Sequence, residues 1–266
     1  MNNTSIRPFV VPTDGNNVPV QNPLIPTPFV PYKCKNCRHV NIFAKADPEL
    51  IKKYLAPTPF EYVDNTILLY ISDFKNTDRT DGVTHGFWDA GLVVPGRYKD
   101  TVGGVFLFEY EDVDWSIAAG RELWGYPKKY ADISMDESLE KVVCSAYKNG
   151  IEIIHLELDL LNECKAEKPS TKFAPHLLLH TFPNDVGSGI LYQRVIGRDT
   201  NPDFVTKFMQ TCNAKMILKN CGSDPLDEFA SAEVICGTFQ KGDYYATEEN
   251  GWSFYLGTTV YPPAEG

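Results

Sequence analysis

Gly120-Arg121-Glu122-Leu123-Trp124-Gly125-Tyr126-Pro127-Lys128-Lys129-Tyr130 marks a change of period in the chain. Upstream, Asp114 to Leu123 reads as a helix. Ile117 and Leu123 face inward there, and the small Ala118 and Ala119 allow close approach. Gly125 and Pro127 break that helix, and a strand is expected over Lys129 to Met135. Two adjacent lysines therefore fall at an aromatic-flanked junction, among Trp124, Tyr126 and Tyr130. Lysine is normally kept in water because its charge is costly to desolvate. One reading is a solvated pair at a strand start; the other is an amine used as a nucleophile. Free lysine has a pKa of about 10.4, which leaves only about 0.04% neutral amine at pH 7. Lowering it to near 7 raises that fraction roughly a thousandfold and costs on the order of 4–5 kcal/mol of destabilised ammonium. Burial against apolar rings or a second cation nearby can supply the shift.

Working outward, the pattern is mostly strand. His39 to Lys45 reads as one, followed by a helix start at Asp47-Pro48-Glu49: an N-cap, a proline at the first helical position and an acid toward the dipole. Leu50, Ile51, Tyr54 and Leu55 form its apolar stripe, and Pro57 and Pro59 end it. Thr66 to Ile71 is an almost continuous apolar run, Gly86 to Val94 carries Asp89, and Val102 to Tyr110 is rich in Val, Phe and Tyr. Lys148-Asn149-Gly150 between Leu139–Tyr147 and Ile151–Leu160 is a hairpin signal. On the second of these strands Ile154, Leu156, Leu158 and Leu160 share a face expected to be buried, while His155 reads as a surface residue. Further strands are expected at His176–Phe182, Ile190–Gly197, Phe204–Thr211, Met216–Leu218 and Val234–Ala246. Many strands and about two helices predict an α+β protein, mainly antiparallel, with a barrel-like core. Residues 1–30 carry repeated prolines and predict an extended N-terminal arm, lying over its own domain or a neighbouring subunit. Residues 31–266 show no linker and read as a single domain.

At 266 residues with 43% hydrophobic content, the chain is long enough for a sizeable core. A net charge of −10 disfavours nucleic acid and anionic membrane surfaces as partners, but does not disfavour an anionic substrate in a locally tuned pocket. No apolar run approaches the roughly 20 residues of a membrane span. The start lacks a basic-then-apolar signal, and seven cysteines are an odd number. Reduced thiols and a cytoplasmic location are therefore expected. Cys34-Lys35-Asn36-Cys37 has no second pair at zinc spacing and no thioredoxin-like context. His176 and His180 lie on one strand face without a carboxylate at metal spacing, so no metal site is expected.

The stretch Gly120 to Lys129 resembles the signature of the acetoacetate decarboxylase family, G-R-E-x-x-x-[FY]-P-K-K, with every fixed position met. Supporting segments are Pro31-Tyr32-Lys33 through Ile42, Asp47 to Phe60, Phe87-Trp88-Asp89-Ala90-Gly91 through Pro95, and Met216 to Asp227. The resemblance implies a curved sheet closed around an internal pocket, and assembly into homo-oligomers. Acetoacetate decarboxylase is a standard instance of a lysine activated by desolvation or a neighbouring cation. By resemblance, Lys128 is the Schiff-base residue and Lys129 its neighbour. On a strand, however, successive side chains point to opposite faces. Desolvation of Lys128 is then expected to do most of the shifting, with Lys129 anchoring the segment to Glu122 or another carboxylate.

Asp89 aligns with a glutamate that the family uses near its lysine, and is one methylene shorter. A second family glutamate falls within Ile67 to Ile71, where no carboxylate stands; Asp73 lies just beyond. The family's substrate-carboxylate arginine falls at Cys37, with Arg38 beside it. Candidate substrate-binding residues are thus Arg38, Arg121, Glu122, Trp88 and Tyr126, with Arg97 and Arg194 as further cations able to hold a carboxylate. The function expected is a cofactor-free, lysine-dependent decarboxylase of a β-keto acid. The departures leave open a Schiff-base aldolase or dehydratase on a keto acid. A non-catalytic small-molecule-binding protein is the third reading.

Overall fold

The computed structural model describes residues 30–78, 84–186, 188–200 and 203–260, so the expected arm over residues 1–30 lies, but for Val30, outside the described residues. The N-terminal part carries β1 (Tyr32–Lys45), helix α1 (Pro48–Leu55), β2 (Glu61–Tyr62), β3 (Thr66–Asp73), β4 (Thr77–Asp78), β5 (Thr84–His85), β6 (Trp88–Tyr98) and β7 (Thr101–Glu111). A short helix α2 (Asp114–Ala118) then runs into a π-helical turn (Ala119–Trp124). The rest is β8 (Lys128–Tyr130), β9 (Asp132–Glu137), β10 (Lys141–Lys148), β11 (Ile151–Glu163), β12 (His176–Pro183), β13 (Ile190–Arg198), β14 (Phe204–Leu218), β15 (Glu233–Ala246) and β16 (Phe254–Val260).

The local signals act as their chemistry requires. The Asp47 side chain accepts the Glu49 N–H at 3.0 Å, and Ile51 and Leu55 are buried beneath α1. Asn149 and Gly150 take φ of 52° and 76°, closing the β10–β11 hairpin by a turn whose two central residues both need the left-handed region. Ile154, Leu156 and Leu158 are fully buried, with Leu160 partly so. The segment Phe204–Thr211 joins Met216–Leu218 in one strand, because both flanks pair with strands already in place.

All strands belong to one sheet, ordered β16-β13-β12-β7-β6-β3-β1-β15-β14-β11-β10-β9. The short β2, β4, β5 and β8 attach beside that path. Pairing is antiparallel except where β12 and β8 meet β7. The α+β, mainly antiparallel reading therefore holds. The expectation of closure is corrected: among the described residues β16 and β9 stay separate edges, so the sheet curves over its core without becoming a barrel. One face carries Val40, Ile71, Ala90 and Tyr110 from β1, β3, β6 and β7 into the main core, with Val142, Cys144 and Leu156 from the other end of the sheet. The opposite face of the same strands lines a cavity of about 740 Å³. No helix of the described residues is long and apolar enough to cross a membrane.

Candidate active site

Register decides which lysine enters the cavity. In the parallel β7–β8 pair, Glu109 lies opposite Lys128 and Tyr110 opposite Lys129. Residues opposite each other share a face. Lys128 and Glu109 therefore point into the cavity, while Lys129 follows Tyr110 to the core side. Two rows of inward residues cross the sheet. One runs Asn41, Tyr70, Gly91, Glu109, Lys128; the next runs His39, Ser72, Asp89, Glu111. Gly91 leaves the space that the Tyr70 ring fills: a Cβ there would lie 3.0 Å from Tyr70 Cε1. Through that gap the Tyr70 hydroxyl donates to Asp89 Oδ1 at 2.9 Å and reaches Glu109 Oε1 at 3.5 Å.

Lys128 is buried, with 8% of its surface exposed. Its Nζ pairs with Glu111 Oε1, lies 3.6 Å from Glu109 Oε1 and sits 5.1 Å from the Tyr126 ring centroid. The lysine stem packs on Gly120 of the π-turn, where a Cβ would lie 2.6 Å from Lys128 Cε. Arg121 Nη1 donates to the Lys128 carbonyl at 3.1 Å, fixing the backbone at the junction. Gly125, at φ 77°, caps the turn and lets the chain reverse into β8.

The electrostatics correct the sequence reading. Burial pushes the Lys128 ammonium down, as expected, but Glu111, Glu109 and Asp89 together outweigh it and hold the pKa above its ordinary value. Burial pushes all three acids up: Asp89 to about 7 despite Lys128, Glu109 well above its usual range, and Glu111 in the same direction. Four ionisable groups thus share one dry corner. Their proton inventory belongs to the group as a whole.

Of the residues singled out in the sequence, Lys128, Asp89 and Tyr126 line the cavity. Lys129 does not; its Nζ pairs with the fully buried Asp224, which also holds Lys148, so the anchoring carboxylate is Asp224 and not Glu122. Burial alone would raise the Asp224 pKa, but the bonds from Lys129 and Lys148 hold it below the ordinary aspartate range. Arg38 and Trp88 are also off the cavity. Each lies opposite Asp73 in its neighbouring strand pair, one residue out of phase with the inward row. Arg38 Nε donates to Asp73 at 3.0 Å and its Nη1 to Glu137 at 3.3 Å. Arg121 and Glu122 sit on the outer side of the π-turn and do not line the cavity. Arg97 and Arg194 are absent from its wall as well.

Residues that were not among the sequence candidates for catalysis or substrate binding complete the site. Glu109 and Glu111 are two carboxylates at i and i+2 in an otherwise apolar strand; that spacing puts both on one face, and it was the readable signal. His39 at the cavity wall is half-buried between Phe74 and Phe204, and desolvation lowers its pKa to about 4, which keeps it neutral. His176 Nδ1 lies 2.7 Å from the Tyr126 hydroxyl, and burial together with Arg198 and Lys128 lowers its pKa to about 3. Arg198 is buried at the end of β13, its guanidinium 4.1 Å from the Trp124 ring centroid. Among the described residues no group of three or more His, Cys, Asp or Glu is placed to hold a metal ion.

A family profile described as Acetoacetate decarboxylase (ADC) matches residues 17–253. The chain is 29% identical over 228 residues to an acetoacetate decarboxylase of Paraburkholderia phytofirmans, covering 82% of this chain and 84% of that protein. It is 25% identical over 228 residues to that of Burkholderia multivorans, covering 82% and 86%. Among solved structures, an acetoacetate decarboxylase superposes with a TM-score of 0.77 at 19% identity, over 92% of this chain and 96% of that one. The enduracididine biosynthesis enzyme MppR superposes with a TM-score of 0.74 at 13% identity, over 94% and 99%. Those two structures share the fold of this chain and are different enzymes.

Proposed function

The chain belongs to the acetoacetate decarboxylase family, and from that premise we propose that it is a lysine-dependent carboxy-lyase acting on a β-keto acid through a Schiff base. The observation that carries the reading is the single buried amine of Lys128 on the cavity wall, in contact with Glu111 and close to Glu109. An amine taken out of water against this cost is hard to account for in a passive pocket.

The steps follow from the groups present. Glu111, already paired to Nζ, takes the ammonium proton, and the free amine adds to the substrate ketone. Loss of water gives the iminium ion, which draws the electron pair of the adjacent C–CO₂⁻ bond. Carbon dioxide leaves and an enamine remains. The acids pushed up by burial, Asp89 and Glu109, hold the proton that the enamine carbon then takes. Water hydrolyses the resulting iminium, releasing the methyl ketone and Lys128. One water leaves and one returns, and one proton is consumed per carbon dioxide released. The iminium itself is the electron sink, so the sequence of steps uses no cofactor.

Borohydride reduction in the presence of β-keto acids, read by intact mass and peptide mapping, tests this. The expected result is an adduct on Lys128 that is absent in Lys128→Ala, with carbon dioxide released in the unreduced reaction. An adduct without carbon dioxide would replace decarboxylation by aldol or dehydration chemistry on the same imine. Folded protein that forms no adduct with any keto acid would leave a binding protein.

A further inference from the structure

Lys128 shares the cavity wall with three other cations, Lys168, Lys172 and Arg198, and of these three only Arg198 is buried. Arg198 is 7% exposed. Its Nη2 donates to the Tyr32 hydroxyl at 3.2 Å and to the Gly251 carbonyl at 3.5 Å, both neutral acceptors. Among the described residues its Nε has no acceptor, and no carboxylate lies within 4.0 Å of the guanidinium; Asp203 feels it only at longer range. Trp124 fixes the guanidinium plane from one side. A buried arginine is ordinarily matched by an acid, because an uncompensated buried charge is expensive. Here the groups that answer the charge are phenols: Tyr244, Tyr32 and Tyr126.

Tyr126 bridges Lys128 and Arg198. Its ring lies 5.1 Å from Lys128 Nζ, and its hydroxyl group interacts with Arg198. A cation thus faces the cavity one tyrosine side chain away from the reacting amine. Beyond it the wall is aromatic. Phe87 stacks on Phe74 at 4.9 Å, Trp115 meets Phe87 edge-on at 5.5 Å, and Phe74 meets Tyr244 at 6.1 Å. A cavity of about 740 Å³ is in the range that encloses a drug-sized ligand. Acetoacetate, with seven heavy atoms, would leave most of it unfilled.

Resting on the imine reading of Lys128, we propose that Arg198 is the carboxylate anchor of the site and that the substrate is a keto acid bearing an aryl or similarly large apolar substituent, held by the Phe74–Phe87–Trp115 wall. The planar guanidinium offers its unpaired Nε–H, and the Nη2–H that makes only the long 3.5 Å contact to Gly251 turns to complete the parallel fork that carboxylates accept. The apolar substituent then covers the cavity from water, which strengthens both the ion pair and the acid cluster around Lys128.

The test uses three probes, benzoylacetate, acetophenone and acetoacetate, on the full-length protein. Calorimetric binding is measured in a Lys128→Ala background, where no imine forms, so that failure of the imine reading does not obscure the result. Benzoylacetate is expected to bind at least tenfold more tightly than acetoacetate. Adding Arg198→Met is expected to weaken benzoylacetate at least tenfold and leave acetophenone within twofold, while Arg198→Lys recovers part of the loss. Borohydride trapping in the Lys128-containing protein should show the same order of half-saturation. Equal benzoylacetate binding with and without Arg198, in variants whose melting shows them folded, would overturn the anchor. Acetoacetate binding as tightly as benzoylacetate would overturn the aryl wall. Absence of a borohydride adduct with intact Arg198-dependent binding would sink the imine reading alone.

Discussion

Asp89 is a cavity carboxylate raised by burial, and its position between Tyr70, Lys128 and Glu111 makes a stability prediction. Its pKa is raised by burial from 3.8 to about 7 in the folded protein. The folded state therefore keeps a proton that the unfolded chain loses first. Stability falls as pH rises from about 4 to about 7, and the full penalty remains above that. Replacing Asp89 by Asn removes the titration. Asp89→Asn is expected to be more stable than the parent at pH 8, by on the order of 1–4 kcal/mol, and equal to it near pH 4. Melting followed by circular dichroism across that range checks the slope; parallel curves would show that Asp89 titrates normally. Site chemistry was legible only in part at this scale. Lys128 and Asp89 stood out because a charge in an apolar stretch is unusual. Glu109 and Glu111 gave the same signal, and it was missed because Phe106 to Tyr110 reads so strongly as strand. Arg198 gave no local signal: it follows Val195-Ile196-Gly197 at a strand end, and its burial comes from Tyr32, Trp124 and Tyr244, far away in sequence.

The π-turn and β8 form the element that delivers Lys128, and each glycine in it has a steric duty. Gly120 makes room for the lysine stem; Gly125 holds a left-handed φ with its Cβ position 2.6 Å from His180 Cα. Gly120→Ala must displace Lys128 or the turn. It is expected to lower the imine-trapping rate at least tenfold while costing only about 1–3 kcal/mol of stability. Trapping at parental rate would show that the stem has slack. Lys129 is assigned to stability by the same register. Asp224 is fully buried and bound by Lys129 and Lys148, so Asp224→Ala strands two cations. A loss of about 2–4 kcal/mol is expected, since Lys129 is partly exposed and recovers some hydration. Lys129→Met should keep trapping within about threefold. Abolished trapping in folded Lys129→Met would return Lys129 to the chemistry. The helix start at Asp47, the Asn149-Gly150 turn and the alternation that separates Lys128 from Lys129 were all readable, because each depends on neighbours in sequence. The switch from α-helix to π-turn at Ala119 was not: the helix period continues through Leu123, and the wider turn is held by packing of Gly120 on Lys128 and Gly125 on His180.

At the scale of the whole molecule, the succession of strands predicted a mainly antiparallel protein with a barrel-like core, and the family resemblance a curved sheet closed around a pocket, but neither predicted that the ends of the sheet stay apart. Closure depends on which strands become edges, and β9 and β16 are set by long-range order that no local pattern encodes. The consequence for function is electrostatic. The sheet presents one face to the core and the other to a cavity lined by Lys128 with Asp89 and Glu109, and by Arg198 apart from those acids. Around it the chain carries a net charge of −10. A keto acid is an anion, so it approaches against the overall field and is attracted only once the nearby arginine outweighs it. Salt screens the long-range repulsion first, because the Debye length falls to about 10 Å at 0.1 M, whereas a contact inside the cavity is screened much less. The second-order rate of imine formation with an anionic keto acid is therefore expected to rise about two- to fivefold between low salt and 0.2 M. With a neutral ketone it should stay flat. Stopped-flow trapping with both ligand types across a salt series separates the cases. A rate for the acid that falls with salt would mean that the positive end of the cavity projects beyond its mouth and draws the substrate in against the net charge.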